Sequence, residues 1–211
     1  MPQKKDQRQH AILLAATEAF KEKGFEGARV DQIAEAAGVN KATLYYRIGD
    51  KAALYAAVLD FILRDAADAI ENGAANNNSP EEKLKQYVMT LADTCQQFAP
   101  IMLRELAAGG KTIPDLALSH MGRIVDSLRL LLQQGVESGD FRPTNPFIIH
   151  MMVIGGLSIY ASNQPLRQRS AEQHPDEHHP EYFITQQQAA EEIYGHILTS
   201  LSQPSARGET S

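Results

Sequence analysis

The stretch 31-DQIAEAAGVNKATLYYRIGDKAAL-54 places a short apolar helix pattern, a glycine turn and a second short helix pattern one after another. Ile33, Ala34 and Ala37 recur at helical spacing before Gly38, and Leu44 and Ile48, four apart, do so after it. Asn40 suits the N-cap of the later helix, with Val39 before it and Leu44 beyond it in the positions of a hydrophobic staple. The sequence therefore predicts two short helices held at a set angle over a core shared with a preceding helix. That core turns Lys41, Ala42, Thr43, Tyr45, Tyr46 and Arg47 to the other side. Lys41, Arg47 and Lys51 can neutralise phosphates. Thr43 and the tyrosine hydroxyls can donate to phosphate oxygens, and Ala42 is small enough to let the helix approach base edges or a thymine methyl. These residue types fit a helix-turn-helix whose second helix enters the major groove of double-stranded DNA. The same unit also occurs in proteins that never touch nucleic acid, and Tyr45 suits half-buried packing equally well.

Helical spacing continues on both sides. Ile12, Ala16 and Phe20 mark a first helix over residues 6–23, which stops at Gly24 with Phe25 packing back on it. A connector helix is expected from Lys51 to about Glu71, ended by NGAANNNSP. Further helices are expected over residues 81–98, 100–108, 114–138, 146–162 and 185–202, separated by Gly109-Gly110, Gly139 and the Asn145-Pro146 pair. Residues 164–180 read as a long polar loop. The fold class is all-α. A helix-turn-helix domain is expected over residues 6–66, with the motif itself at about 29–48, then a larger helical domain over 67–203 and a frayed tail over 204–211.

The chain of 211 residues carries a formal charge of −6, unevenly spread. Residues 1–51 hold 9 Lys and Arg against 7 Asp and Glu, whereas the rest hold 11 against 19, so positive charge gathers at the helix-turn-helix end. A single cysteine, Cys95, excludes a disulfide framework and fits a reducing cytoplasm. The apolar run FIIHMMVIGGLSIY from Phe147 is shorter than the roughly 20 residues a membrane-spanning helix needs. No glycine-rich phosphate loop follows a strand and no Ser-His-Asp order stands out, so neither catalysis nor a cofactor nor a metal is expected.

Residues 11–54, AILLAATEAFKEKGFEGARVDQIAEAAGVNKATLYYRIGDKAAL, resemble the N-terminal domain of the TetR/AcrR family of bacterial transcriptional repressors. The likeness lies in the IL.AA...F...GF helix, the V..IA..AGV second helix and the TLYY recognition helix, closed by Gly49 and Lys51. The resemblance implies a homodimer whose N-terminal helices bind a roughly palindromic DNA operator. The C-terminal helices would then form a pocket for a small-molecule effector and the dimer interface. Arg29 stands where the family usually has a capping Thr or Ser that reaches a phosphate, and would make that contact as a charged group. Asn40 replaces a common serine. Tyr46-Arg47-Ile48 stands where an aromatic residue, a histidine and a phenylalanine are frequent.

In the C-terminal part, Met89, Phe98, Met102, Met121 and Ile124 fall on the inward faces of predicted helices, as the lining of an adaptable pocket or as plain core. Arg104, Glu105, His120 and Arg123 would orient a ligand there or belong to solvated faces. Cys95 reads as a small core residue or a thiol sensor. His174, His178 and His179 have metal-binding composition at generic spacing in a polar loop. Gly155 and Gly156 lie on a helix apolar on more than one face; with Ile193, Ile197 and Leu201 of the last helix they are candidates for a four-helix dimer contact. The resulting expectation is a cytoplasmic, homodimeric, ligand-responsive repressor. The alternative is a helical adaptor that uses the helix-turn-helix only structurally.

Overall fold

Side-chain caps start several of the helices. In the computed structural model, which describes residues 2–76, 78–173 and 180–202, Asn40 Oδ1 accepts from Thr43 N at 2.7 Å and Asp50 Oδ1 from Ala53 N at 2.8 Å. Ser79 with Glu82 and Thr185 with Gln188 form capping boxes. Each such cap stabilises its helix by about 1 kcal/mol. The elements are α1 (Pro2–Gly27), α2 (Val30–Ala36), α3 (Lys41–Ile48), α4 (Lys51–Ala74), α5 (Pro80–Ala107), α6 (Asp115–Ser138), α7 (Pro146–Ser162), α8 (Gln164–Gln173), a 3₁₀ turn (Pro180–Phe183) and α9 (Gln186–Leu201). The chain is all-helical, as expected.

Two apolar clusters fill the interior. The first joins α1, α2, α3 and the first half of α4 through Phe20, Ile33, Leu44, Leu54 and Val58, and extends to Phe98 and Ile101 of α5. The second gathers the far half of α4 with α5, α6, α7 and α9 around Ala67, Leu84, Leu128, Leu157 and Ile197. α4 belongs to both. The expected division near residue 66 therefore falls inside a continuous helix.

Three local expectations differ from the structure. The helices expected over 81–98 and 100–108 are one helix, α5, with Pro100 inside it. Proline removes one intrahelical hydrogen bond and crowds the preceding turn, at about 3 kcal/mol. The buried neighbours Phe98, Ala99 and Ile101 hold the helix together across that point. Residues 164–173 form α8 rather than loop, tied to α7 by Arg167, whose Nη1 donates to Tyr160 O at 2.7 Å. The first helix continues to Gly27, but its regular backbone breaks at Gly24, where φ is 67°. That conformation favours glycine, and it turns Phe25 back against Phe20 with ring centroids 6.2 Å apart. His174, His178, His179 and the tail over 204–211 lie outside the described residues. Among the described residues no single helix is long and apolar enough to cross a membrane.

Candidate DNA interface and effector cavity

Leu44 is fully buried and Ile48 half-buried, which anchors α3 on the first core and fixes its outer face. Lys41, Ala42, Tyr45 and Tyr46 are exposed, with Thr43 and Arg47 partly so. Tyr46 is 92% exposed, an extreme for a large aromatic side chain, and projects from the middle of α3. Lys41 Nζ lies 2.6 Å from Asp31 of α2 and 5.9 Å from the Tyr45 ring centre. The hydrogen bond and charge of Lys41 hold the Asp31 carboxyl below its usual range. A pair this exposed is weak and screened by salt, so a phosphate can compete for the lysine. Arg29 occupies the N-cap of α2 without a side-chain cap bond and is exposed beside this face.

Lys51 is placed differently from its expected phosphate role. Its Nζ donates to Glu26 O at 3.1 Å and sits 4.9 Å from the Phe25 ring centre. It therefore ties the start of α4 to the end of α1. The cap that positions this start is Asp50, a residue the sequence reading passes over although an aspartate directly before a helical run is the ordinary signal. Between Asn40 and Asp50, Gly49 takes φ 106°, and a Cβ there would lie 3.1 Å from Ala53 Cβ. That glycine closes the recognition helix so that α4 can start at once.

A cavity of about 230 Å³ opens between α4, α5, α6 and α7. Phe98, Met102, Met121 and Ile124, which the sequence offers as pocket lining or plain core, line it, with Leu63 of α4, a member of the first apolar cluster. Cys95 and His150 also line it. Burial pushes the Cys95 thiol upward, which keeps it protonated, and Ser158 Oγ donates to its sulfur at 3.4 Å. His150 passes unnoticed in the sequence because it sits inside an apolar run.

Five candidates lie elsewhere. Met89 packs against the second core. Arg104, on the opposite side of α5 from the cavity, donates to the Phe20, Lys21 and Glu22 carbonyls at 3.2, 2.8 and 3.3 Å, so its charge caps the regular end of α1. Glu105 is buried, accepting from Tyr55 Oη of α4 at 2.5 Å and from Thr112. His120 is held on both nitrogens: Nε2 donates to Asp60 at 2.9 Å, and Arg123 donates to Nδ1 at 3.1 Å. Arg123 also grips Asp68 and Glu71, so this cluster joins α4 to α6 instead of facing a ligand.

Residues 12–58 match the profile of the bacterial regulatory proteins of the tetR family. The regulator RutR of Escherichia coli strain K12 is 30% identical over 161 residues, 75% of this chain and 76% of that one. The repressor NicS of Pseudomonas putida is 31% identical over 170 residues, 77% and 79% of the two chains. The chain belongs to the TetR family. It is a DNA-binding transcriptional regulator and not an enzyme.

The fold agrees. The fatty acid degradation regulator FadR of Bacillus halodurans superposes with a TM-score of 0.67 at 21% identity, covering 90% of this chain and 97% of that one. The ketosteroid regulator KstR2 of Mycobacterium tuberculosis gives 0.65 at 18% identity, covering 93% and 95%. In this TetR-family chain, α7 presents Ile148, Met152, Gly155 and Ile159 along one exposed face. Of the residues expected at an interface, Ile197 and Leu201 are each only 1% exposed and belong to the protomer's own core. Gly156 lets α9 come close, since a Cβ there would lie 2.9 Å from Ile193 Cδ1.

Proposed function

We propose that this regulator is a homodimeric repressor that leaves its operator when a small, mostly apolar ligand occupies the cavity. One observation carries the reading. α4 runs unbroken from Lys51, next to the Asp50 cap beside the recognition helix, to Leu63 in the cavity wall, about 18 Å at 1.5 Å per residue. A ligand that displaces Leu63 must move a helix whose start is tied to the DNA-binding core. The volume, below the roughly 300–1,000 Å³ of pockets for drug-sized molecules, favours a compact effector. In the DNA-bound state Tyr46, Tyr45 and Ala42 approach the bases, while Lys41, Arg47, Thr43 and Arg29 hold phosphates. α7 contributes Gly155 and its apolar neighbours to the dimer contact.

The test fills the cavity. Met102→Trp and Met121→Trp should retain operator affinity, measured by fluorescence anisotropy on labelled promoter DNA, and lose release by an inducing ligand. Normal release at unchanged dose in both folded variants would place the effector elsewhere.

A further inference from the structure

The cavity wall specifies more than apolarity. None of the residues lining it carries a formal charge at neutral pH, and burying an ion there without a partner would be strongly unfavourable. Two of its polar groups have acceptors for their hydrogens: Thr94 Oγ1 donates to Thr90 O at 2.9 Å, and Ser158 Oγ donates to Cys95. His150 differs. It is 6% exposed, and its Nδ1 lies 2.6 Å from Tyr87 Oη, on a tyrosine itself 2% exposed.

Proton accounting fixes the direction of that bond. Were Nδ1 the donor, the buried phenolic hydrogen would be left without an acceptor, since Tyr87 Oη has no other hydrogen-bond partner among the described residues. The phenol therefore donates to Nδ1, and the neutral imidazole carries its proton on Nε2. Among the described residues no protein group accepts from Nε2, and His150 is part of the cavity wall. Burial holds the ring's pKa at about 4, so it offers a neutral N–H rather than a cation. We propose that the cavity selects uncharged ligands with an apolar body and one hydrogen-bond acceptor, a carbonyl or ether oxygen, received by His150 Nε2–H. This rests on the cavity being the effector site, and it excludes carboxylates and amines as preferred ligands.

A matched eight-carbon series tests it with the purified full-length protein: methyl hexyl ketone, octane, octanoate and octylamine, titrated by calorimetry near neutral pH. The ketone should bind roughly 5- to 30-fold more tightly than octane, the range of one buried hydrogen bond, and both charged probes more weakly than the ketone. In His150→Phe the ketone should fall to the affinity of octane. Tyr87→Phe, which frees the tautomer, should lower ketone affinity while leaving octane unchanged, and guards against a merely misfolded His150 variant. Octanoate or octylamine binding as tightly as the ketone, a ketone preference that survives His150→Phe, or no binding by any probe would overturn the proposal. Operator release is read separately by anisotropy. Ketone binding without release would sink the effector reading and leave the ligand class standing.

Discussion

Single residues here divide into those that the sequence makes legible and those that only three-dimensional neighbours explain. Tyr46 and Arg47 belong to the first group, because the four-residue step from Leu44 to Ile48 fixes which side of α3 faces outward. They should also separate two kinds of DNA contact. Arg47→Ala should weaken binding to all sequences and reduce the slope of log K against log salt by about 0.9 for one lost phosphate contact. Tyr46→Ala should weaken binding without moving the slope. An unaltered slope in the folded arginine variant, measured by titration at several salt concentrations, would remove Arg47 from the phosphate contacts. His150 belongs to the second group, since one histidine in an apolar run gives no sign of the tyrosine 63 residues earlier that holds it. Its burial makes a second prediction. The folded pKa of about 4 lies below the ordinary 6.5, so the unfolded chain binds the extra proton between those values. Stability is then full above about pH 6.5 and declines as pH falls towards 4, by up to about 1.4 kcal/mol per unit. Thermal melts of His150→Phe should show a shallower loss between pH 7 and pH 5 than the parent chain, and equal slopes would contradict the assignment.

At the scale of elements, helix positions follow from apolar spacing and from caps written locally in the sequence, as at Asn40, Ser79 and Thr185. What local pattern misreads is the reach of tertiary packing. Pro100 signals a break, yet the helix continues because buried residues on both sides of it pack into the first core. The same length of α5 explains the displaced candidates. Met102, Leu103 and Leu106 line the cavity, while Arg104 and Glu105, on the other face of the same turns, hold α1 and α4. Residue type alone cannot tell a ligand-orienting arginine from a helix-capping one, since both use the same donors. The placement carries a prediction: ligand pressure on the end of α5 reaches the DNA-binding helices through these two side chains as well as through Leu63. Arg104→Ala should lower the stability by about 1–2 kcal/mol, from lost and partly exposed charge-assisted bonds. It should also shrink the ratio of operator affinities without and with inducer. A variant that loses stability but keeps the full ratio would leave α4 as the sole connection.

For the whole molecule, the proposed function requires that one small cavity control contacts on DNA. In the proposed homodimer two recognition helices must meet successive major grooves, so the spacing between protomers matters as much as either DNA face alone. That spacing is set by whatever joins the protomers, and the exposed apolar line on α7 is the surface best suited to it: Ile148, Met152, Gly155 and Ile159 follow one another at four, three and four residues, one side of a helix. Sequence pattern reveals that α7 is apolar all round but cannot separate its two sides, because Val153 and Leu157, which face the core, are of the same residue types as Ile148 and Ile159, which do not. Gly156 is a poor place to test the contact, since a larger residue there strikes Ile193 of the same protomer. Met152 and Ile159 are the better probes. The double variant Met152→Glu/Ile159→Glu introduces unpaired charges that a buried interface cannot accommodate without several kcal/mol of penalty. It should sediment as a folded monomer in analytical ultracentrifugation. On a palindrome with half-site centres about 34–36 Å apart it should lose most of its affinity, while a single half-site should be bound about as weakly by the variant as by the parent protein. A double variant that remains a dimer at low micromolar concentration would move the interface away from α7, and with it the account of how the two recognition helices are held in register.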